Sequence, residues 1–169
     1  LVNDAVKYLD NLNAEQIEDD QLKIELAKAY LKIGDVQGRP YSANLGKTED
    51  ALVSYQKAVD ILQNAAEKSP KKYELKRELV RAMMRLTALK ARMAKADFQS
   101  GLDPIVNLQI EVNEADKSNP NQNANDLAEA YILKGDYLAG NAAERIEVHK
   151  KANELLENIP DKTQEIQHN

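Results

Sequence analysis

Cysteine is absent from the 169 residues. That removes disulfides and thiolate metal sites and leaves the redox compartment open. Glycine and proline are scarce, at six and five, and most of them fall in a few short stretches. Elsewhere the chain is rich in Ala, Leu, Glu, Lys and Gln, the strong helix formers. No run approaches the roughly 20 apolar residues that a membrane-spanning helix needs, so this chain is not expected to insert into a membrane itself. An excess of positive charge is also missing. The net charge of −5 does not suggest a nucleic-acid partner. No signal peptide is visible and the first residue is Leu1, not Met, which reads as an excised segment of a longer protein. β-Branched residues are scattered singly and build no persuasive strand. What remains is 43% hydrophobic and 30% charged, ordinary for a soluble helical protein and long enough for a real core or for three to four helical hairpins.

An internal repeat organises the chain. Leu26-Ala27-Lys28-Ala29-Tyr30, followed by Gly34-Asp35, matches Leu127-Ala128-Glu129-Ala130-Tyr131, followed by Gly135-Asp136, at an offset of 101 residues without a gap. Such self-similarity signals stacked supersecondary units. A weaker copy lies between them, with Leu79, Ala82, Met83 and Leu86 in the places of Leu26, Ala29, Tyr30 and Ile33. Ala66-Glu67-Lys68-Ser69-Pro70 and Ala115-Asp116-Lys117-Ser118-Asn119-Pro120 mark two helix ends, because proline cannot continue a helix. Helical periodicity predicts seven helices, over 2–12, 16–36, 48–68, 71–98, 103–117, 123–139 and 141–158. Thr48 with Glu49 and Asp50 is expected to cap the third. Leu75, Leu79, Ala82, Leu86, Leu89, Met93 and Ala96 form a narrow seam along the fourth. Asp103-Pro104 is expected to open the fifth.

These residues resemble the tetratricopeptide (TPR) pattern. A Leu-small pair is followed by an aromatic one turn later and by Gly at the bend, and the partner helix then offers a small residue, an aromatic and a small residue. Here the first unit gives Leu26-Ala27, Tyr30, Gly34, Ala51, Tyr55 and Ala58. The third gives Leu127-Ala128, Tyr131, Gly135, His149 and Ala152. The units run near 50 residues instead of 34, and the first bend carries the insert Gly38–Gly46. The middle unit has Thr87 where the bend glycine belongs. The resemblance implies an all-α, right-handed superhelix of antiparallel hairpins. A remnant or capping helix over 1–13 would precede hairpins over 16–70, 71–120 and 121–159, with a tail over 160–169.

A closer likeness covers about residues 5–62. Ala5–Leu12, Leu26–Tyr30, Gly34–Gly38, Pro40, Ala43–Gly46 and Ala51–Ala58 resemble the C-terminal TPR region of bacterial membrane-anchored serine/threonine protein kinases. That likeness implies a non-catalytic interaction or sensing module outside the cytoplasm, in a parent that carries the kinase domain and a membrane span elsewhere. The present residues contain neither, and a cytoplasmic location stays open.

The residues that could carry chemistry are few. Gly46-Lys47-Thr48 looks like the end of a phosphate-binding loop, but Tyr41 stands where that motif needs glycine, and no strand precedes it. The two histidines, His149 and His168, are far apart in sequence and lack cysteine partners. With Glu144, Arg145 and Lys150 near it, His149 reads as a helix-surface residue or as a substitute for the usual aromatic, sooner than as a metal ligand. Carboxylates lie among Lys and Arg on helix faces, where solvation and i,i+4 pairing are the default. No catalytic residue, metal or cofactor is expected.

Binding is expected on the first helices of the hairpins. Helical phase predicts exposed inner positions at Gln21, Ile24, Lys28, Leu31 and Lys32, at Arg77, Arg81, Met84 and Arg85, and at Gln122, Asn125, Glu129, Ile132 and Leu133. Residues 71–97 hold nine basic and three acidic side chains, and arginine forks bind carboxylates bidentately. An acidic protein or peptide is one reading of that stripe; a face neutralised by acids of neighbouring helices is the other. The TPR carboxylate clamp is not matched, since Ile24 and Lys28 stand at its positions. The inserted loop, with Arg39, Tyr41 and Asn44, is a second candidate; a structural plug that packs the widened bend, anchored by Tyr41, is the equal alternative. The apolar positions of the first helix (Leu1, Val2, Val6, Leu9, Leu12) open a rival reading, a homodimer.

Overall fold

A computed structural model describes residues 1–15, 17–40 and 42–160. Among the described residues the chain is all helical. Its elements are α1 (Val2–Ala14), α2 (Asp20–Gly38), α3 (Thr48–Lys68), α4 (Tyr73–Arg92), a 3-10 turn (Phe98–Gly101), α5 (Leu102–Ala115), α6 (Pro120–Tyr137) and α7 (Ala142–Glu157). They form two compact units, 1–101 and 102–169, and the boundary falls inside the expected hairpin over 71–120. In the first unit α2 packs on α3, α3 on α4, and both α1 and α4 touch α2. In the second, α6 lies against both α5 and α7.

The expected periodicities account for the helices, and local chemistry sets their ends. Asp19 is the N-cap of α2 and accepts from the Leu22 N–H at 2.7 Å, so this helix starts four residues after the expected point. Thr48 is not a cap: α3 begins on it, after Lys47, without a side-chain capping bond. Pro120 opens α6, where its missing N–H costs nothing. Asn141 caps α7 by accepting from the Ala143 N–H at 2.8 Å.

The fourth helix departs most from expectation. Leu75, Leu79, Ala82, Leu86 and Leu89 are buried as the seam predicts, but α4 stops at Arg92, so Met93 and Ala96 fall outside it. The Lys95 N–H reaches the Lys90 carbonyl at 3.0 Å and the Ala94 N–H reaches that of Ala91 at 3.0 Å. This is a Schellman ending, with Ala94 in the left-handed region at φ 52°. Lys90 Nζ then binds Asp97 at 2.7 Å and ties the chain beyond the helix back onto it. A Cβ on Gly101 would come within 2.7 Å of the Thr87 Oγ1, so around Thr87 the glycine is supplied from the other side of the contact.

Two glycines decide how closely the hairpin helices approach. A Cβ on Gly34 would lie 2.5 Å from the Tyr55 ring, and one on Gly135 would lie 2.5 Å from the His149 ring. His149 therefore occupies the place of Tyr55, as the repeat implies. Tyr55 is fully buried and cannot yield, whereas the His149 side chain is 38% exposed. Gly34→Ala is expected to destabilise by about 2 kcal/mol, overpacking outweighing the better helix propensity. Gly135→Ala should cost well under half of that. Urea unfolding of the two variants checks the contrast. Ala94→Gly should stabilise by about 1 kcal/mol, because glycine adopts positive φ without penalty, and should raise the thermal midpoint.

Candidate binding surface

Two networks of the same design run through the first unit. The fully buried Tyr30 of α2 donates its phenol to Asp10 of α1 at 2.7 Å. Lys57 of α3 binds the same carboxylate oxygen and sits 5.5 Å from the Tyr30 ring centroid, within cation–π range. One helix further on, the fully buried Tyr55 of α3 donates to Asp35 of α2 at 2.6 Å. Arg85 of α4 donates through Nε to that carboxylate at 3.3 Å. Each aspartate thus ties together three successive helices. At the other end of α2, Asp20 accepts from Ser69 at 2.9 Å, and Lys23 and Lys72 flank it.

The electrostatics follow. Asp10 is held below the ordinary carboxylate range, chiefly by the hydrogen bond from Lys57, with burial opposing and Tyr30 assisting. The Ser69 hydroxyl does the same for Asp20. Burial pushes both phenols, Tyr30 and Tyr55, above their usual value, and donation to an aspartate adds to it. These perturbed groups are spent on joining helices.

The expected groove residues separate into different environments. Ile24 is 0% and Leu31 4% exposed, which corrects their placement on an open face. Positions 24, 28, 31 and 35 share one stripe of α2. Lys28 lies 3.9 Å from Glu78 of α4 and Asp35 meets Arg85, so the apolar residues between these bridges are enclosed. Lys32 is exposed, but it lines the cleft between α1 and α2 with Leu1, Val2, Ala5, Ile33 and Val36. On α4, Arg77, Met84, Arg81 and Arg85 are partly open; the Arg81 side chain is 42% and the Arg85 side chain 34% exposed. Arg81 also binds Glu78 at 2.9 Å. In the second unit Asn125, Glu129 and Ile132 share one stripe of α6. Asn125 donates to Glu129 at 3.3 Å, and Ile132 is exposed.

The inserted loop is built around Asn44, in keeping with the structural one of its two expected roles. Its amide donates to the Arg39 and Ser42 carbonyls, both at 2.8 Å, and its oxygen accepts from the Gly46 N–H at 2.7 Å. The Leu45 and Lys47 N–H groups return to the Val36 and Gln37 carbonyls, closing the loop onto the end of α2. Asn44 is therefore occupied by the loop itself. Arg39 is exposed, 3.9 Å from Asp35. Tyr41 and His168 lie outside the described residues.

Among the described residues no group of three or more His, Cys, Asp or Glu is placed to hold a metal ion, and no helix is long and apolar enough to cross a membrane. No family model, curated protein or solved structure matches the chain. The surfaces therefore stand on their own geometry.

Clefts recur at equivalent places. One of about 600 Å3 is lined by Leu26, Asp60, Ile61 and Asn64, with the α1–α2 link over it. Another of about 300 Å3 has Leu127, Glu154, Leu155 and Asn158 in the corresponding positions.

A carboxylate whose pKa falls on folding stabilises the fold above its unfolded value, about 3.9, and loses that contribution as pH drops through the folded value. Asp10→Asn is expected to cost about 1 kcal/mol at neutral pH, limited by the partial exposure of the site. The gap between wild type and variant should shrink below about pH 4 as the wild-type carboxylate takes up its proton. Urea titrations across that range check it; a gap independent of pH would contradict the charge-based account.

Proposed function

We propose that the chain is a non-catalytic protein-interaction or sensing module of a larger bacterial signalling protein, built as a TPR-like right-handed superhelix. The repeated pairing of a close-approach glycine with an aromatic, Gly34 with Tyr55 and Gly135 with His149, supports the TPR reading. So does the packing of α4 on both helices of the preceding hairpin. The likeness of residues 5–62 to the repeats of membrane-anchored serine/threonine kinases supports a kinase as the parent and a position outside the cytoplasm.

The observation that carries the binding role is the partly open arginine stripe of α4 beside Lys28. Arg81 and Arg85 keep 42% and 34% of their side chains exposed although each already has an acidic neighbour. Guanidinium groups that reach solvent can meet a carboxylate from outside, which their planar fork binds bidentately. The partner that fits is an acidic protein or peptide segment. Arg85 also holds Asp35, so its removal would confuse binding with stability; the test therefore uses Arg81, with Arg77 beside it on the stripe.

A second reading has its own observation. Tyr8 and Val36 are 67% and 48% exposed, and the cleft between α1 and α2, about 210 Å3 in volume, is lined by Leu1, Val2, Ala5, Ile33 and Val36 beside Lys32. These features suit a self-associating module.

The deciding experiment is a pull-down from native envelope extract with wild type and an Arg77→Ala/Arg81→Ala double variant, read by mass spectrometry at low and high salt. A partner held by wild type, lost by the variant and weakened by salt supports the basic stripe. Equal capture by both proteins overturns it. Light scattering across a concentration series tests the rival reading, and a constant monomer mass would sink it.

A further inference from the structure

The two units carry the same hairpin with different surroundings. Residues of α2 map onto α6 at an offset of 101, and Tyr55 and Ala58 of α3 map onto His149 and Ala152 of α7 at an offset of 94. In the first unit α4 covers the joint face of α2 and α3. There Leu31 is 4% and Leu62 0% exposed. Their counterparts in the second unit, Ile132 and Leu156, are 36% and 39% exposed. Ile24 and Ala65 are also fully buried, whereas their counterparts Asn125 and Ile159 line a cleft of about 450 Å3. Asp35 receives Arg85 of α4. Its counterpart Asp136 lies 3.6 Å from His149, with a side chain 57% exposed.

We infer that the α6–α7 face is a seat for a third helix, supplied by a partner as a basic amphipathic segment. Charge fixes the occupant more closely than hydrophobicity does. In the first unit α4 sends Glu78 to Lys28 and, seven residues on, Arg85 to Asp35. At the equivalent places the second unit has Glu129 and Asp136, both acidic and exposed. A helix seated there in the manner of α4 meets two carboxylates, two turns apart, flanking Ile132. It is matched by basic side chains at i and i+7 with apolar residues facing between them. A second copy of this chain offering α4 would set Glu78 against Glu129, a like-charge mismatch. This seat is separate from the arginine stripe proposed above, and its failure would leave that stripe untouched.

The probe is a labelled synthetic peptide of residues 72–93 carrying Glu78→Lys, titrated with the purified chain at low ionic strength. Fluorescence anisotropy reports binding and circular dichroism reports the helix gained. One peptide is expected per chain. Ile132→Asp, an exposed position whose variant should keep its helical spectrum, is expected to weaken binding at least tenfold. The unmodified peptide should bind about threefold more weakly than the Glu78→Lys one, the worth of an exposed ion pair. Glu129→Lys in the chain should reverse that preference. Several results would overturn the inference. They are no binding at about 1 mM, equal binding of the two peptides to both proteins, or binding indifferent to Ile132→Asp, which would mean exchange with α4 in the first unit. Self-association that Ile132→Asp abolishes would make the occupant a second copy instead.

Discussion

A tyrosine buried completely between helices must still find an acceptor for its hydroxyl, and in this protein the acceptor is an aspartate on the preceding helix. Tyr30 uses Asp10 and Tyr55 uses Asp35. The aspartate then cannot stand alone, because a half-buried charge is costly unless paired, and the following helix supplies Lys57 or Arg85. The spacing of α1 to α4 depends on this chain of requirements. Gly34 is part of it, since only a residue without a Cβ leaves room for the ring whose hydroxyl reaches Asp35. The consequence for function is a division of the cations. Arg85 and Lys57 belong to the scaffold, whereas Arg81, beside Glu78 of its own helix, keeps 42% of its side chain exposed.

The second unit keeps the geometry and relaxes the chemistry. His149 replaces Tyr55 at the glycine and stays partly open. Tyr131, the counterpart of Tyr30, is half-buried where Tyr30 is fully buried. At Tyr131, His149, Ile132 and Leu156 this unit is less buried than the first is at Tyr30, Tyr55, Leu31 and Leu62, and weaker burial goes with easier local opening. A face that gains a helix on binding is drawn from such places, because ordering there displaces little that was already formed.

Much of the architecture was readable from one sequence because helical period, glycine and small residues are local signals. The bounds of α3 followed from Thr48 with its two acids and from Ser69-Pro70, and one of the two readings of His149 followed from the repeat. Burial of Ile24 and Leu31 did not, since helical phase shows which residues share a stripe but not which neighbouring helix covers it. The end of α4 was missed because the left-handed residue is Ala94, where a Schellman ending usually announces itself with glycine. Residue types alone leave Asn44 open between a ligand contact and a structural loop residue, and its bonds within the loop favour the second. The polar networks did leave a trace: aspartate and tyrosine are 20 residues apart in both pairs. That interval exceeds any period within a helix, so it becomes meaningful only once two helices and a bend are counted into it.

One substitution between the repeats carries most of the difference in what the two units can bind. Lys28 becomes Glu129 while Asp35 stays acidic as Asp136. In the first unit the pair is a cation and an anion, which suits α4 with Glu78 and Arg85, and the arginines left at the surface give that face a positive character. In the second the pair is two anions, and no helix with α4's own charges satisfies both. Because exposed pairs contribute little each, the apolar contact at Ile132 has to supply the affinity. The two carboxylates then select among apolar helices, which is where charge has its largest effect in recognition.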